Sequence, residues 1–258
     1  MRLGVIGCGA RAWCLVAVLS LVSACSSFGP SDMPNPSLAR GNSVGVMVAA
    51  GHQDDAPYKW AGCPGMVLQD RGLFLTAAHC VRQDGFRPTI IAMDVDDLCS
   101  PLTEKNRTFL VDKILVYDPT HDFALLSGPG YEPGWRMAAE VDYLPPGTRL
   151  GAWGYGSDSP GGPRACELRR ARQVVTDVSE CTQAGIELGG KLCVRNDGDG
   201  PGVCTGYSGG PVLMLVDGVQ TAMVGITSSG IGCGQGALGT VVPFPDLMNQ
   251  ALDGVEGA

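Results

Sequence analysis

Gly206-Tyr207-Ser208-Gly209-Gly210-Pro211-Val212-Leu213-Met214-Leu215-Val216 places one serine in a glycine-rich turn that runs directly into a short apolar stretch. Glycines on both sides allow a backbone bend that side chains would forbid. Two other stretches share this design. Leu75-Thr76-Ala77-Ala78-His79-Cys80 brings a histidine to the edge of an apolar run, and His121-Asp122-Phe123-Ala124-Leu125-Leu126 sets a carboxylate just before another.

The same alternation of short apolar run and turn signal fills the chain outward from these segments. The runs are Val44–Ala50, Met66–Leu68, Leu73–Ala77, Thr89–Met93, Phe109–Val116, Phe123–Leu126, Arg149–Trp153, Arg172–Val178, Pro211–Val216, Met223–Thr227 and Gly239–Val242. They are rich in Val, Ile, Leu and Thr and bounded by Gly, Pro or Asp, which is an all-β pattern. Only Pro245–Leu252 reads as helical, with Leu247, Met248 and Leu252 on one face. With 38 Gly and 18 Pro in 258 residues, the composition favours many turns over long helices. An apolar fraction of 45% supports a packed core and excludes general disorder. A net charge of −8 without any basic run argues against a nucleic-acid partner.

The N-terminus reads as a targeting segment. Arg2 and Arg11 precede an apolar stretch from Ala12 to Leu19 that continues through Leu21 and Val22. A bilayer span takes about 20 residues, so this stretch matches a signal-peptide core instead. Val22-Ser23-Ala24-Cys25 resembles the lipobox of bacterial lipoproteins. That resemblance implies a signal peptide over 1–24, lipid on Cys25 and membrane attachment, on the periplasmic face of the outer membrane in a Gram-negative host. Plain secretory cleavage after Ala24 is the other reading. Ser, Pro, Asn and Gly make 25–42 a tether. The domain then covers 43–258. The glycine-rich Gly4-Val5-Ile6-Gly7-Cys8-Gly9-Ala10 is no dinucleotide turn, because no βαβ unit surrounds it.

Cys8, Cys14 and Cys25 belong to the leader and anchor. Eight of the 11 cysteines remain: Cys63, Cys80, Cys99, Cys166, Cys181, Cys193, Cys204 and Cys233. An even number in an oxidising compartment predicts four disulfides. No Cys-x-x-Cys pair exists, and no structural zinc is expected. Asp94-Val95-Asp96-Asp97 has oxygens that could meet Ca²⁺ but reads as a solvated acidic turn. Asn106-Arg107-Thr108 is a glycosylation sequon by pattern only. His52 and His121 read as loop residues.

Serine, histidine and aspartate together meet the needs of acyl transfer. A hydroxyl becomes a useful nucleophile when an imidazole takes its proton, and a carboxylate fixes the imidazole's tautomer and stabilises the imidazolium. A bend at Gly206 aims its amide and that of Ser208 at one point, where an oxyanion could be held.

With these three motifs in that order, the sequence resembles the chymotrypsin/trypsin family of serine proteases from about Val44 onward. The resemblance implies two packed six-stranded Greek-key β-barrels, about 43–145 and 146–258, followed by a short C-terminal helix. It implies a serine-type endopeptidase acting on proteins or peptides without metal or organic cofactor. His79, Asp122 and Ser208 would be catalytic, and Gly206 and Ser208 would form the oxyanion hole. Gly202, Ser228, Gly230 and Gly239 would form the specificity pocket. No carboxylate stands at its base, which points to an uncharged pocket for apolar side chains, although Asp199 is close by in sequence. Ser229 replaces a common wall Trp. The implied bridges are Cys63–Cys80, Cys181–Cys193 and Cys204–Cys233, leaving Cys99 with Cys166, a pair uncommon in the family.

One departure is informative. The family's usual Asp before the nucleophile is Tyr207, and Arg40-Gly41-Asn42-Ser43 stands where an activating new N-terminus is expected. Losing both halves of an ion pair together avoids a buried, uncompensated charge. The expectation is an oxyanion turn held without proteolytic activation. The alternative is a catalytically inactive homologue serving as a binding or scaffold protein. An esterase is disfavoured, because the Ser208 turn leads into a strand and not a helix.

Overall fold

The computed structural model describes residues 42–49, 54–68, 72–81, 88–129, 144–198, 202–243 and Asp253. The signal peptide, Cys25, nearly all of the tether, His52, Asp199 and the Pro245–Leu252 helix lie outside the described residues.

Thirteen strands form among the described residues. The first seven are β1 (Asn42–Ala49), β2 (Ala61–Leu68), β3 (Leu73–Thr76), β4 (Pro88–Met93), β5 (Thr108–Leu110), β6 (Lys113–Asp118) and β7 (Phe123–Ser127). They pair in the order β5-β4-β1-β2-β3-β7-β6. The expected first barrel of six strands is therefore a seven-stranded sheet. The apolar run Phe109–Val116 breaks at Val111 and Asp112. Val111 N–H donates to Thr89 O at 2.9 Å on the β4 side, while Asp112 N–H donates to Ser127 O at 2.8 Å on the β7 side. One stretch of chain thus passes from the first edge of the sheet to the last, which brings the edges together.

The interior of this sheet is set by an aromatic ring above two glycines. Gly45 and Gly65 are cross-strand partners. A Cβ at Gly65 would stand 2.3 Å from Phe74 Cζ, and one at Gly45 would stand 3.1 Å from Phe74 Cε2. Small residues here leave room for the fully buried Phe74, Leu73, Leu75 and Leu125.

The other six strands are β8 (Arg149–Gly154), β9 (Arg169–Val175), β10 (Leu192–Asn196), β11 (Pro211–Val216), β12 (Val219–Ile231) and β13 (Leu238–Pro243). They close a barrel in the order β10-β13-β12-β11-β8-β9. Its core is Leu150, Ala152, Ala171, Val175, Val194, Tyr207, Val212, Val224 and Val241. The run expected over Arg172–Val178 begins earlier and ends at Val175. Beyond it, Asp177 accepts Ser179 N–H and starts α2 (Val178–Gln183), with Glu180 in its first turn. A shorter helix, α1 (Ala78–Val81), follows β3. Helical structure is thus not confined to the tail.

Buried contacts tie the two sheets together. Tyr155 packs with Val46, Val48, Ile90 and Leu98, and its hydroxyl donates to Val95 O at 2.6 Å. Burial raises its pKa well above the ordinary tyrosine value, so it remains a donor. The Arg164 guanidinium donates to Ala61 O and Gly62 O at 3.3 and 2.5 Å. Cys99–Cys166 crosses the same seam, where Leu98 N–H donates to Cys166 O at 2.6 Å.

All four disulfides are present: Cys63–Cys80, Cys99–Cys166, Cys181–Cys193 and Cys204–Cys233. Cys99–Cys166 spans 67 residues of sequence, the longest interval of the four. Replacing both its cysteines by Ser is expected to lower stability by about 4 kcal/mol through the freed unfolded chain. Urea unfolding checks this, and an unchanged midpoint would show that Tyr155 and Arg164 suffice to join the sheets.

Candidate active site

His79 is the second residue of α1, directly beyond β3. Its backbone N–H donates to Asp122 Oδ1 at 3.1 Å, and its ring Nδ1 lies 2.9 and 3.0 Å from Asp122 Oδ1 and Oδ2. An ionised carboxylate only accepts, so the proton belongs on Nδ1. In the neutral ring this leaves Nε2 as an acceptor. The His79 side chain is 45% exposed and that of Asp122 only 13%.

Asp122 closes the hairpin between β6 and β7, whose last pair is Asp118 and Phe123. Asp118 Oδ1 accepts the amides of Thr120 and His121, and its Oδ2 meets His121 Nδ1 at 2.6 Å. This self-wrapping turn ends with Asp122 at φ +64°, a left-handed conformation that Asp tolerates better than most residues. His121 therefore serves the turn, half-buried against Asp118.

Ser228 on β12 supplies the partner that sequence reasoning assigned only to a pocket wall. The register against β13 shifts between Thr227 and Gly230: Thr227 pairs with Val241 and Gly230 with Gly239. One extra residue on β12 makes a bulge, which re-aims side chains. Ser228 is 1% exposed, and its hydroxyl donates to Asp122 Oδ2 at 2.5 Å. Its carbonyl accepts Ser208 Oγ–H at 3.4 Å. Ser228 thus touches both Asp122 and Ser208. No hydrogen bond joins Ser208 Oγ to His79 among the described residues. Such bonds are often long before substrate binds.

The Ser208 turn is pinned on all sides. Tyr207 N–H donates to Cys204 O at 3.2 Å and Gly210 N–H to Tyr207 O at 2.8 Å. Gly209 N–H donates to Thr227 O at 2.7 Å, and Thr227 N–H returns to Gly210 O at 2.9 Å. Gly206 and Gly209 have φ of +103° and +80°. A Cβ at Gly209 would stand 2.2 Å from Thr76 Oγ1 and 2.5 Å from Pro64 O, so the turn presses on β2 and β3 through glycine alone. Neither the Gly206 nor the Ser208 amide donates to a backbone carbonyl among the described residues.

The expected pocket residues also have defined places. Gly230 pairs with Gly239. Ser229 Oγ lies 3.0 Å from Thr240 Oγ1. Gly202 is buried against Asn196, whose Nδ2 would be 2.0 Å from a Cβ there. Asn196 Nδ2 donates to Gly234 O and Val203 O, and its Oδ1 accepts Val203 N–H.

An ion pair and hydrogen bonds engage the acidic turn. Asp94 pairs with the Arg107 guanidinium at 2.5 and 3.0 Å. Asp97 accepts from Cys99 N–H and Ser100 Oγ–H. Asn106 of the sequon donates to Asp94 O at 2.8 Å.

The trypsin family profile matches residues 39–250, and the chain belongs to that family of serine proteases. Serine protease 56 of Homo sapiens is 31% identical over 209 residues, covering 73% of this chain and 34% of that protein. Ovochymase-2 of Mus musculus is 24% identical over 192 residues, covering 67% and 31%. The chain thus spans about a third of the length of these curated relatives. A solved structure of HBP superposes with a TM-score of 0.59 at 21% identity, covering 83% of this chain and 91% of that one. Human heparin binding protein gives 0.54 at 22% identity, covering 83% and 90%. These structural likenesses carry the all-β trypsin-like fold alone.

Burial pushes the Asp122 carboxyl up, but hydrogen bonds from His79 and Ser228 and the attraction of His79 outweigh it, so its pKa lies below the ordinary carboxylate value. A carboxyl lowered in the folded state stabilises the fold above its unfolded pKa and loses that contribution as pH falls through the folded one. The stability advantage of the wild type over Asp122→Asn is therefore expected to shrink as pH falls from about 5 through and below about 3.9. Urea midpoints across that range test it. A difference that does not vary with pH would show that the carboxylate charge is not what these bonds hold.

Proposed function

We propose that this chain is an extracytoplasmic serine endopeptidase with a Ser208–His79–Asp122 triad. It would be carried by lipid on Cys25 after removal of 1–24, with residues 25–42 as tether. Its domain, 43–258, would consist of lobes over about 43–145 and 146–258. The observation that carries the reading is the hydrogen-bonded path from His79 Nδ1 through Asp122 to Ser228, whose carbonyl meets Ser208 Oγ. The four disulfides fit an oxidising compartment.

In this mechanism His79 Nε2 takes the Ser208 proton as Oγ attacks the scissile carbonyl. Asp122 holds the ring and stabilises the imidazolium. The oxyanion forms beside the amides of Gly206 and Ser208, each donor being worth about 3–4 kcal/mol in comparable sites. His79 then protonates the leaving amine, and water releases the acyl group by the reverse sequence. Because a protonated ring cannot accept, the rate falls on acidification.

The pocket reading follows from its base. Gly202 has no charge, and Asn196 behind it spends its amide on backbone groups. Together with Ser228, Gly230 and Gly239, Gly202 would form an uncharged pocket for an apolar side chain.

A fluorophosphonate probe tests the reaction directly. The wild type is expected to be labelled on Ser208 and Ser208→Ala to remain unlabelled, while Asp122→Asn loses on the order of 10⁴ in turnover. A folded wild type that resists the probe would instead support a scaffold protein.

Gly202→Asp tests the pocket. Its Cβ would meet Asn196 at 2.0 Å, so the variant is expected to lose about 1–3 kcal/mol of stability without gaining cleavage after Lys or Arg. Thermal unfolding and a peptide-library profile measure both. A stable variant with new basic specificity would overturn this account of the pocket base.

A further inference from the structure

We propose that the ring of Tyr207 is a wedge that positions the oxyanion-forming amides of Gly206 and Ser208. It is a positioning residue, and the catalytic part of the inference rests on the serine-protease reading above.

The slot that receives the ring is built from backbone. Tyr207 is 1% exposed and, with Tyr155, among the largest fully buried side chains. A Cβ at Gly156 would stand 2.0 and 2.1 Å from Tyr207 Cδ2 and Cε2. One at Gly154 would stand 2.9 Å from Tyr207 Cδ1 and 3.0 Å from Gly206 O. The phenol ring therefore occupies the space that side chains at 154 and 156 would take. Leu150, Ala152 and Val212 belong to the same cluster.

This seating fixes the neighbouring residues. Ser157 N–H donates to Thr205 O at 2.9 Å, so the segments 154–157 and 205–207 lie against each other. Gly206 presses on the same segment: a Cβ there would be 2.9 Å from Tyr155 O and 3.1 Å from Gly156 Cα. Its φ of +103° is thus maintained by close packing from below. On the other side the Tyr207 carbonyl accepts Gly210 N–H. With residue 207 immobilised between them, the amides at 206 and 208 have little freedom to rotate separately.

Burial also pushes the phenol pKa up, to about 12. The wedge is therefore uncharged throughout the acid-to-neutral range and needs no buried counter-ion.

The test compares wild type, Tyr207→Phe, Tyr207→Leu and Tyr207→Ala by two measurements. Amide hydrogen exchange across residues 204–210 reads the turn itself, whether or not the protein is an enzyme. Turnover of a peptide substrate, with kcat and KM separated, reads the oxyanion site. Tyr207→Phe is expected to match the wild type in both. Tyr207→Ala is expected to lose exchange protection at 204–210, with kcat falling by about 10²-fold or more and KM little changed. Tyr207→Leu should fall between them, and it carries the comparison if the alanine variant does not fold. Wild-type exchange and wild-type kcat in a folded alanine or leucine variant would overturn the wedge. So would a phenylalanine variant as impaired as alanine, which would assign the role to the hydroxyl. If the wild type cleaves nothing and resists fluorophosphonate, the enzyme reading fails on its own, and exchange still decides whether Tyr207 holds the turn.

Discussion

Asp122 is a carboxylate with 13% of its side chain exposed, hydrogen-bonded from two different sheets. His79 approaches it from the end of β3, and Ser228 approaches it from β12. A partly buried charge left short of donors is expensive, so both sheets must be in register for the site to be stable. The remaining ties across the seam act in the same sense. Tyr155 anchors beneath Val95, Arg164 reaches two carbonyls of β2, and Cys99–Cys166 prevents separation. The position of His79 relative to Ser208 is therefore a property of how the sheets meet, since α1 follows β3 of one sheet and the Ser208 turn leads into β11 of the other.

Close approach of backbone to backbone is the second constraint, and glycine makes it possible. At Gly209 the Ser208 turn touches Pro64 and Thr76, and at Gly156 the backbone lies against the ring of Tyr207. Neither position has space for a methyl group. The high glycine content thus has two separate origins: turns that need positive φ, and contacts where the main chain must lie flat against its neighbour. Sequence inspection sees the first in Gly-rich turns such as 206–210. The second emerges only when the facing residue is known.

This explains which parts of the fold were legible. Strands such as β3, β7 and β11 are uninterrupted apolar runs and could be read directly. Leu192–Asn196 offers no such run, because Arg195 and Asn196 are polar; in the fold Asn196 is buried and bonds the backbone around Val203 and Gly234. Likewise Val219–Ile231 forms one long strand, yet Ser228-Ser229-Gly230 looks like turn chemistry. The polar residues lie there because a bulge aims Ser228 at Asp122. At α2 a usable signal existed: Asp177 followed three residues later by Glu180 is an N-terminal capping pattern. For the site, the residue types and their order were legible in three motifs. The role of Ser228 was not, since nothing local distinguishes a serine facing solvent from one facing a buried carboxylate.

Replacing a charged residue by Tyr207 in the core of the second barrel has a consequence for how the site responds to pH. A buried carboxylate under the oxyanion turn would need a cation, and the turn would loosen whenever either partner changed its protonation. An aromatic ring held by packing does not titrate until far above neutrality. The turn is thereby uncoupled from proton binding, while Asp122 remains coupled through its bonds to His79 and Ser228. On the proposed mechanism, shape would position the oxyanion side of the site and charge would position the proton-transfer side. Two mechanically different supports therefore meet at Ser208, and perturbing one leaves the physical basis of the other intact.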